Sequence, residues 1–257
     1  MQQRNLVWGL HAARQVLRSA PETVREVWVD ARADQAELRA VVADLATLGV
    51  AIQTVPRHTL DTMTDGGRHQ GLVLGRTAPP AATFEGLCAG LRAATVPTTV
   101  LVLDGVQDPQ NLGSCMRIAD AAGAAAVIIP KDRAVGMTGA VAKAASGAAE
   151  TLPLVAVTNL SRALDELKDC GLWIVGLTHD APDTIFATVL TPACALVLGG
   201  EARGLRRLTR ERCDLLANIP MLGSVESLNV AAAAAVSLYE TVRQRAQASA
   251  SQSRVGG

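Results

Sequence analysis

The sequence predicts an α/β protein, with a parallel-sheet domain in its C-terminal part and a smaller α/β unit before it. Three observations lead there. From residue 98 onward, strand-length apolar runs alternate with helix-length segments, the order that gives a parallel sheet with helices on both faces. The first of these runs, TTVLVLDGV, is almost continuously apolar, as a strand covered on both faces should be. Before it lies a segment that opens with Pro79-Pro80 and closes at Pro97, the composition of a linker.

Taken in order, VREVWVD (24–30) reads as a strand, DQAELRAVVADLATLG (34–49) as a helix stopped by Gly49, and VAIQTV (50–55) as a strand. RHTLDTMT (57–64) reads as a short helix and QGLVLGR (70–76) as a further strand. Residues 1–77 are thus expected to form one compact unit, and 78–98 a linker carrying a short helix. Residues 99–247 form the larger domain. Its strands are TTVLVLDGV, AAVIIP, LPLVAV, LWIVGLT, ACALVLGG and LLANIPM. Its helices are NLGSCMRIADAAG (111–123), TGAVAKAASG (138–147), NLSRALDELKDCG, LRRLTRERCD and a last one from about Ser227 to Gln247. Residues 248–257 are small and polar and are expected to be disordered.

Composition narrows the function classes. The 257 residues are 49% hydrophobic and 19% charged, enough for a packed core. Aromatic residues are only 2%, which speaks against an extended base-stacking platform. No apolar run reaches the roughly 20 residues of a membrane span, and the N-terminus lacks a secretory h-region with a cleavage site. Five scattered cysteines (88, 115, 170, 194, 213) with no CxxC pair read as buried thiols in a reducing compartment, not as disulfides or a metal site. A soluble cytoplasmic protein without metal or membrane partner is expected. The net charge of zero is unevenly spread: 99–198 hold six Lys/Arg against ten acids, and 199–257 eight Arg against five acids. RGLRRLTRER (203–212) packs five Arg and one Glu together, either a solvated helix face or an RNA contact.

Open α/β sheets bind ligands beyond the carboxyl ends of their strands, and three such loops stand out. In LDGVQDPQNLGSCMR (103–117), Asp108-Pro109 turns the chain, Asn111 sits where it can cap the following helix, and Arg117 follows a little short of two turns later. Both residues also fit a bland reading, a cap and a surface ion pair. In LVLGGEARGLRRL (196–208), paired glycines allow close approach of a ligand to the backbone. The spacing there is G-x-E-x-x-G, and Glu201 would repel a pyrophosphate, so a dinucleotide-binding turn is a poor fit. In IPMLGSVESLNVAAAAAV (219–236), Ser224 or Ser227 is placed to cap the last helix, and the alanines suggest a tightly packed face.

Together these loops resemble the three motifs of the SpoU (TrmH-like) branch of the SPOUT RNA methyltransferases: NLGSCMR as N-x-G-x-x-x-R, LVLGGEARGL as G-x-E-x-x-G, and IPMLGSVESLNV as I-P-M-x-G-S-x-x-S-L-N-V. WGLHAARQVL, HQG (69–71), DGVQDPQNLG, IPKDR, SGAAE (146–150), VTNL (157–160) and RRLTRERCD extend the resemblance over residues 4–245. Within that branch they look like the type that methylates a guanosine ribose in the peptidyl-tRNA loop of bacterial 23S rRNA. The resemblance implies a deep trefoil knot in the C-terminal domain, an N-terminal RNA-binding domain related to small ribosomal proteins, S-adenosylmethionine (AdoMet) as methyl donor, and a homodimer with its site near the interface. It implies a polar catalytic set of Asn111, Arg117, Glu201, Ser227 and Asn229. It implies cofactor contacts from Leu198, Gly199, Gly200, Ile219, Met221 and Leu228. Arg14, Arg203, Arg206, Arg207 and Arg210 are the RNA-contact candidates; His11 and the His69-Gln70 pair stay outside the catalytic set. Two other readings remain: the same chemistry on a tRNA or another rRNA site, and a non-catalytic RNA-binding protein on the same scaffold.

Overall fold

The computed structural model describes residues 5–77, 82–200 and 204–255. The chain divides into two compact units, Met1–Ala81 and Ala82–Gly257, each with its own core.

The first unit runs β1 (Asn5–Trp8), α1 (Leu10–Ser19), β2 (Val24–Asp30), α2 (Ala36–Ala46), β3 (Ala51–Val55), α3 (Arg57–Met63) and β4 (Leu72–Arg76). Its sheet has the order β1-β4-β2-β3, with β2 and β3 parallel and β4 antiparallel to both of its neighbours. Side chains alternate across it. Val27, Leu72 and Leu74 face Leu10, Ala13 and Val16 of α1 and Leu38, Val41 and Leu45 of α2. On the other face Trp28 and Val73 meet Leu60 of α3. A Cβ on Gly75 would stand 2.9 Å from the Trp28 ring, so this position makes room for the indole. The sequence reading does not include β1 and α1. The strand has four residues and breaks from the helix at Gly9, whose φ of 90° ends the extended run.

The second unit opens with α4 (Phe84–Ala93), whose Leu91 and Leu87 pack into the second core. Residues read as a linker helix are therefore part of this unit. β5 (Thr99–Asp104), α5 (Pro109–Ala121), β6 (Ala126–Pro130), α6 (Gly139–Ala145), α7 (Ala148–Thr151), β7 (Leu154–Val157), α8 (Leu160–Asp169) and β8 (Trp173–Leu177) follow. Then come the two-residue β9 (Asp183–Thr184), β10 (Cys194–Gly199), α9 (Arg207–Glu211), β11 (Leu215–Asn218) and α10 (Val230–Val255). The sheet order is β7-β6-β5-β10-β8-β11-β9, with every pairing parallel. All strand ends that lead into loops therefore share one edge. Chain order reverses between β5 and β10, the point where open α/β sheets form a ligand crevice.

β5 is buried along its whole length. Leu101 and Leu103 face the core built with α5, α6 and α10, while Val100 and Val102 face the one built with α4 and α8. Gly113 sets the closeness of α5 and α6: a Cβ there would lie 2.4 Å from Ala144 Cβ. The alanine run works similarly. Ala231 and Ala234 are buried against the sheet side, and Ser237, also buried, donates to the Ala233 carbonyl at 2.6 Å. Residues 248–255, expected to be disordered, continue α10. Ala and Gln favour helix, no Pro or Gly interrupts before Gly256, and the Ser249 and Ser251 hydroxyls each donate to the carbonyl four residues back at 3.0 Å. Among the described residues no helix is long and apolar enough to cross a membrane.

Candidate active site

Three loops at the common strand edge of the second unit carry the residues singled out in the sequence. The first leaves β5 at Asp104, turns at Gly105 (φ 90°) and enters α5. Its cap is Asp108, whose carboxylate accepts from the Gln110 N–H at 3.1 Å, with Pro109 at the first helical position. Asn111 is therefore not the cap. It sits in the first turn, half-buried, with its amide directed to α10.

The third loop explains that direction. α10 starts at Val230, three residues later than Ser227, and neither serine caps it. Asn229 does, accepting from the Ala231 N–H at 2.8 Å through Oδ1. With Oδ1 committed to a donor, Nδ2 is left to donate, and it reaches Asn111 Oδ1 at 2.9 Å. One asparagine thus starts the last helix and joins the first and third motifs across 118 positions of sequence. Ser224, Ser227 and Leu228 lie on an exposed stretch, 222–229, leading into this cap. Arg117 is exposed on α5 and has no hydrogen bond or ion pair among the described residues.

In the second loop the glycines accommodate the chain's own backbone. A Cβ on Gly199 would stand 2.0 Å from the Gly204 carbonyl carbon, and one on Gly200 would stand 2.7 Å from the Gly105 carbonyl oxygen. The Gly204 N–H returns to the Gly200 carbonyl at 3.1 Å, with Gly204 in the left-handed region at φ 59°. Glu201 and Arg203 lie outside the described residues. Leu198 is 2% exposed and packs in the core, so only its backbone faces the loop. Ile219 and Met221 are half-buried after β11.

The arginine cluster is not uniform. Arg206 forms an ion pair with Asp104, whose side chain is fully buried, and also donates its backbone N–H to that carboxylate at 3.0 Å. Arg210 chelates Asp180 at 2.8 and 3.1 Å. The Thr178 hydroxyl, donating at 2.5 Å, and that guanidinium hold the Asp180 carboxyl down at about 2. Arg207 makes only an exposed pair with Glu211 one turn on. In the first unit, Arg14 lies 3.9 Å from Glu37 on the surface. His69, 2% exposed, links Asp61 to the Gly71 N–H, bracketing the left-handed turn at Gln70, so it is a structural residue. Asp104 and Asp180 were not singled out in the sequence, and Asp108 only as a turn residue; an acid closing a strand before a turn was the available signal for Asp104. Among the described residues no cluster of three or more His, Cys, Asp or Glu is arranged to hold a metal.

Comparison with known proteins decides the family. Residues 98–239 match the signature of the SpoU rRNA methylase family, and residues 6–80 that of the RNA 2′-O ribose methyltransferase substrate-binding domain. The chain belongs to the SpoU rRNA methylase family. Among relatives of this SpoU chain, the 23S rRNA (guanosine-2′-O-)-methyltransferase RlmB of Nitrosomonas europaea is 48% identical over 94% of this chain and 92% of its own. The RlmB of Haemophilus influenzae is 47% identical over 93% of this chain and 97% of its own. In three dimensions, the SpoU methyltransferase AviRb of Streptomyces viridochromogenes in complex with AdoMet superposes with a TM-score of 0.74 at 25% identity, covering 94% of this chain and 90% of AviRb.

Proposed function

We propose that this SpoU protein transfers a methyl group from AdoMet to the 2′-hydroxyl of a guanosine ribose in the peptidyl-tRNA loop of bacterial 23S rRNA. The reading rests on the near-complete, 48% identical alignment with an RlmB that carries this activity in its name. The joined Asn111 and Asn229 support it chemically, since they hold the first and third motifs together, and Arg117 stands exposed on the same helix as Asn111. AdoMet supplies an electrophilic methyl on a sulfonium. The chain's residues fit such a ligand. β10 and β11 flank β8, so their ends stand about 10 Å apart, two strand spacings. Beyond the end of β8, Gly199 and Gly200 lie on one side and the half-buried Ile219 and Met221 on the other, and Leu228 is 37% exposed.

Arg117 acts as a charge, not as a base. A guanidinium does not readily give up its proton in a protein, so it stabilises the negative charge of the target phosphate and the charge that develops on the 2′-oxygen during transfer. Asn111 and Asn229 hold the first and third loops in register, and Ser227 and Glu201 complete the polar set. Arg207 is the RNA contact of the 206–210 run, because Arg206 and Arg210 are held by Asp104 and Asp180.

The reading extends to a deep trefoil knot in the C-terminal segment, supported by the return of α10 to pack on α5, the first helix after β5. It extends to a homodimer, supported by apolar side chains left exposed around the third loop and α10: Leu222, Val225, Leu228, Tyr239 and Val242. The N-terminal unit is read as an RNA-binding domain related to small ribosomal proteins, and the protein as cytoplasmic, where ribosome precursors are found. The deciding experiment maps ribose methylation in 23S rRNA from a deletion strain with and without this gene. The expected result is loss and restoration of one 2′-O-methylguanosine in the peptidyl-tRNA loop. An unchanged methylation pattern overturns the reading.

A further inference from the structure

A cavity of about 550 Å³ opens on the strand edge beyond β6 and β7, and neither Asn111 nor Asn229 lines it. Three segments meet there: the loop after β6 with Arg133, the turn from β7 into α8 with Thr158, Asn159 and Ser161, and the start of α9 with Arg206 and Arg207. Among the described lining residues the one carboxylate is Asp132. The Arg206 charge is neutralised by Asp104 and serves as a wall. Arg133 has no hydrogen bond or ion pair among the described residues, and it stands in the left-handed region at φ 60°, where a long side chain is uncommon. Arg207 is held only by an exposed pair one helical turn away, which solvent screens and a ligand can readily exchange. Thr158 and Ser161 add hydroxyls, and Leu208 is a 54% exposed apolar group at the rim.

The cavity is tied to the first motif loop. The Val135 N–H donates to the Val106 carbonyl at 3.1 Å, and the Lys131 N–H to the Val157 carbonyl at 2.8 Å, so the Arg133 loop is braced on both sides. A Cβ on Gly105 would meet the Arg133 carbonyl at 3.7 Å. A ligand gripped here is thereby fixed relative to the turn that leads into Asn111. Two exposed guanidiniums, hydroxyl donors and one apolar rim residue suit a sugar–phosphate unit, because arginine forks match phosphate oxygens and stack on bases.

We infer that this cavity is a second RNA subsite, binding a phosphodiester of the substrate strand outside the target nucleotide, with Arg133 and Arg207 on the phosphate. The inference rests on the RNA methyltransferase reading. The same chemistry would hold a free phosphate anion, and the test separates the two.

The test uses the full-length chain and a 23S rRNA fragment containing the peptidyl-tRNA loop. Arg133→Asn removes the charge with a residue that tolerates a left-handed backbone, Arg207→Gln removes the second, and Glu211→Gln removes the Arg207 pair while leaving Arg207 in place. RNA affinity is measured against salt concentration, alongside AdoMet titration calorimetry to establish that each variant is folded. Each arginine variant should lower the magnitude of the log–log salt slope by about 0.7–0.9, and the double variant by about twice that. The double variant should raise KM for RNA about tenfold with a smaller effect on kcat, whereas Glu211→Gln should retain the parental slope. Parental slope and KM in the double variant overturn the inference, as does millimolar orthophosphate that binds Arg133 and Arg207 without displacing RNA. If the parent chain transfers no methyl group, the enzymatic reading fails by itself, because the salt slopes still report on the subsite.

Discussion

Arg206 and Arg117 lie on the segments that follow two neighbouring strands of one sheet, β10 and β5, yet they are opposite kinds of arginine. Arg206 follows β10 and is locked onto Asp104 at the end of β5, a carboxylate with no solvent access. Arg117, on the helix that follows β5, is open to solvent and has no partner among the described residues. A buried acid fixes the first guanidinium in place, so its positive charge is used up in holding α9 to the sheet. The second keeps its charge available for a ligand. Counting arginines along RGLRRLTRER thus overstates the charge open to a ligand, because Arg206 and Arg210 are held by Asp104 and Asp180.

Substitutions break this comparison in graded steps. Arg117→Ala should reduce methyl transfer by at least about 100-fold, the scale of a lost electrostatic contact at a developing anion. AdoMet affinity by calorimetry and the thermal midpoint should stay at parental values; turnover within a few-fold of the parent would remove Arg117 from the mechanism. Arg206→Ala should act in the reverse sense, on folding first. It strands a buried carboxylate that keeps only a backbone donor, which costs about 3 kcal/mol. Scanning calorimetry should then show a melting temperature lower by roughly 6–12 °C.

Asn229 sits between these extremes because it does both jobs. Asn229→Ala loses the cap as well as the link to Asn111, and should cost about 1 kcal/mol in a urea titration. Asn229→Ser retains a capping oxygen but is too short for Asn111, so stability should return to within about 0.5 kcal/mol of the parent while methyl transfer stays impaired. Full activity in the serine variant would show that the asparagine pair serves only the helix start.

The smallest effect is a titration. Thr178 and Arg210 hold the Asp180 carboxyl down at about 2, from an ordinary value of 3.8. A depressed acid contributes stability above its unfolded pKa and loses it as pH falls through the folded value, so this contact should survive to about pH 2–3. Arg210→Ala should move the Asp180 titration up towards 3.8, followed by carboxyl NMR shifts; Thr178→Val should do the same.

These contrasts also mark what could be read from the residues alone. The α/β class, most strands and the three loops were legible because burial on both faces and turn chemistry leave local patterns, as in TTVLVLDGV. The cap assignments were not. Asp108 outcompetes Asn111 because Pro109 sets the first helical position, and Asn229 outcompetes Ser227 because α10 begins at Val230. Both outcomes depend on where a helix meets its neighbour. Strand order was invisible for the same reason: nothing local places β10 beside β5. The glycines of the second motif were legible as glycines, but what they admit is the backbone of Gly204 and Gly105.

The hydrogen bond from Asn229 to Asn111 also has a consequence in time. Its two ends leave the ribosome 118 residues apart, which at about 5–20 residues per second is roughly 6–24 s of synthesis. Throughout that interval the nascent chain carries a finished N-terminal unit, residues 1–81, while the first motif waits for its partner. A chain that stalls before residue 229 has no asparagine pair, and the contact between the first and third loops forms only when α10 has packed on α5.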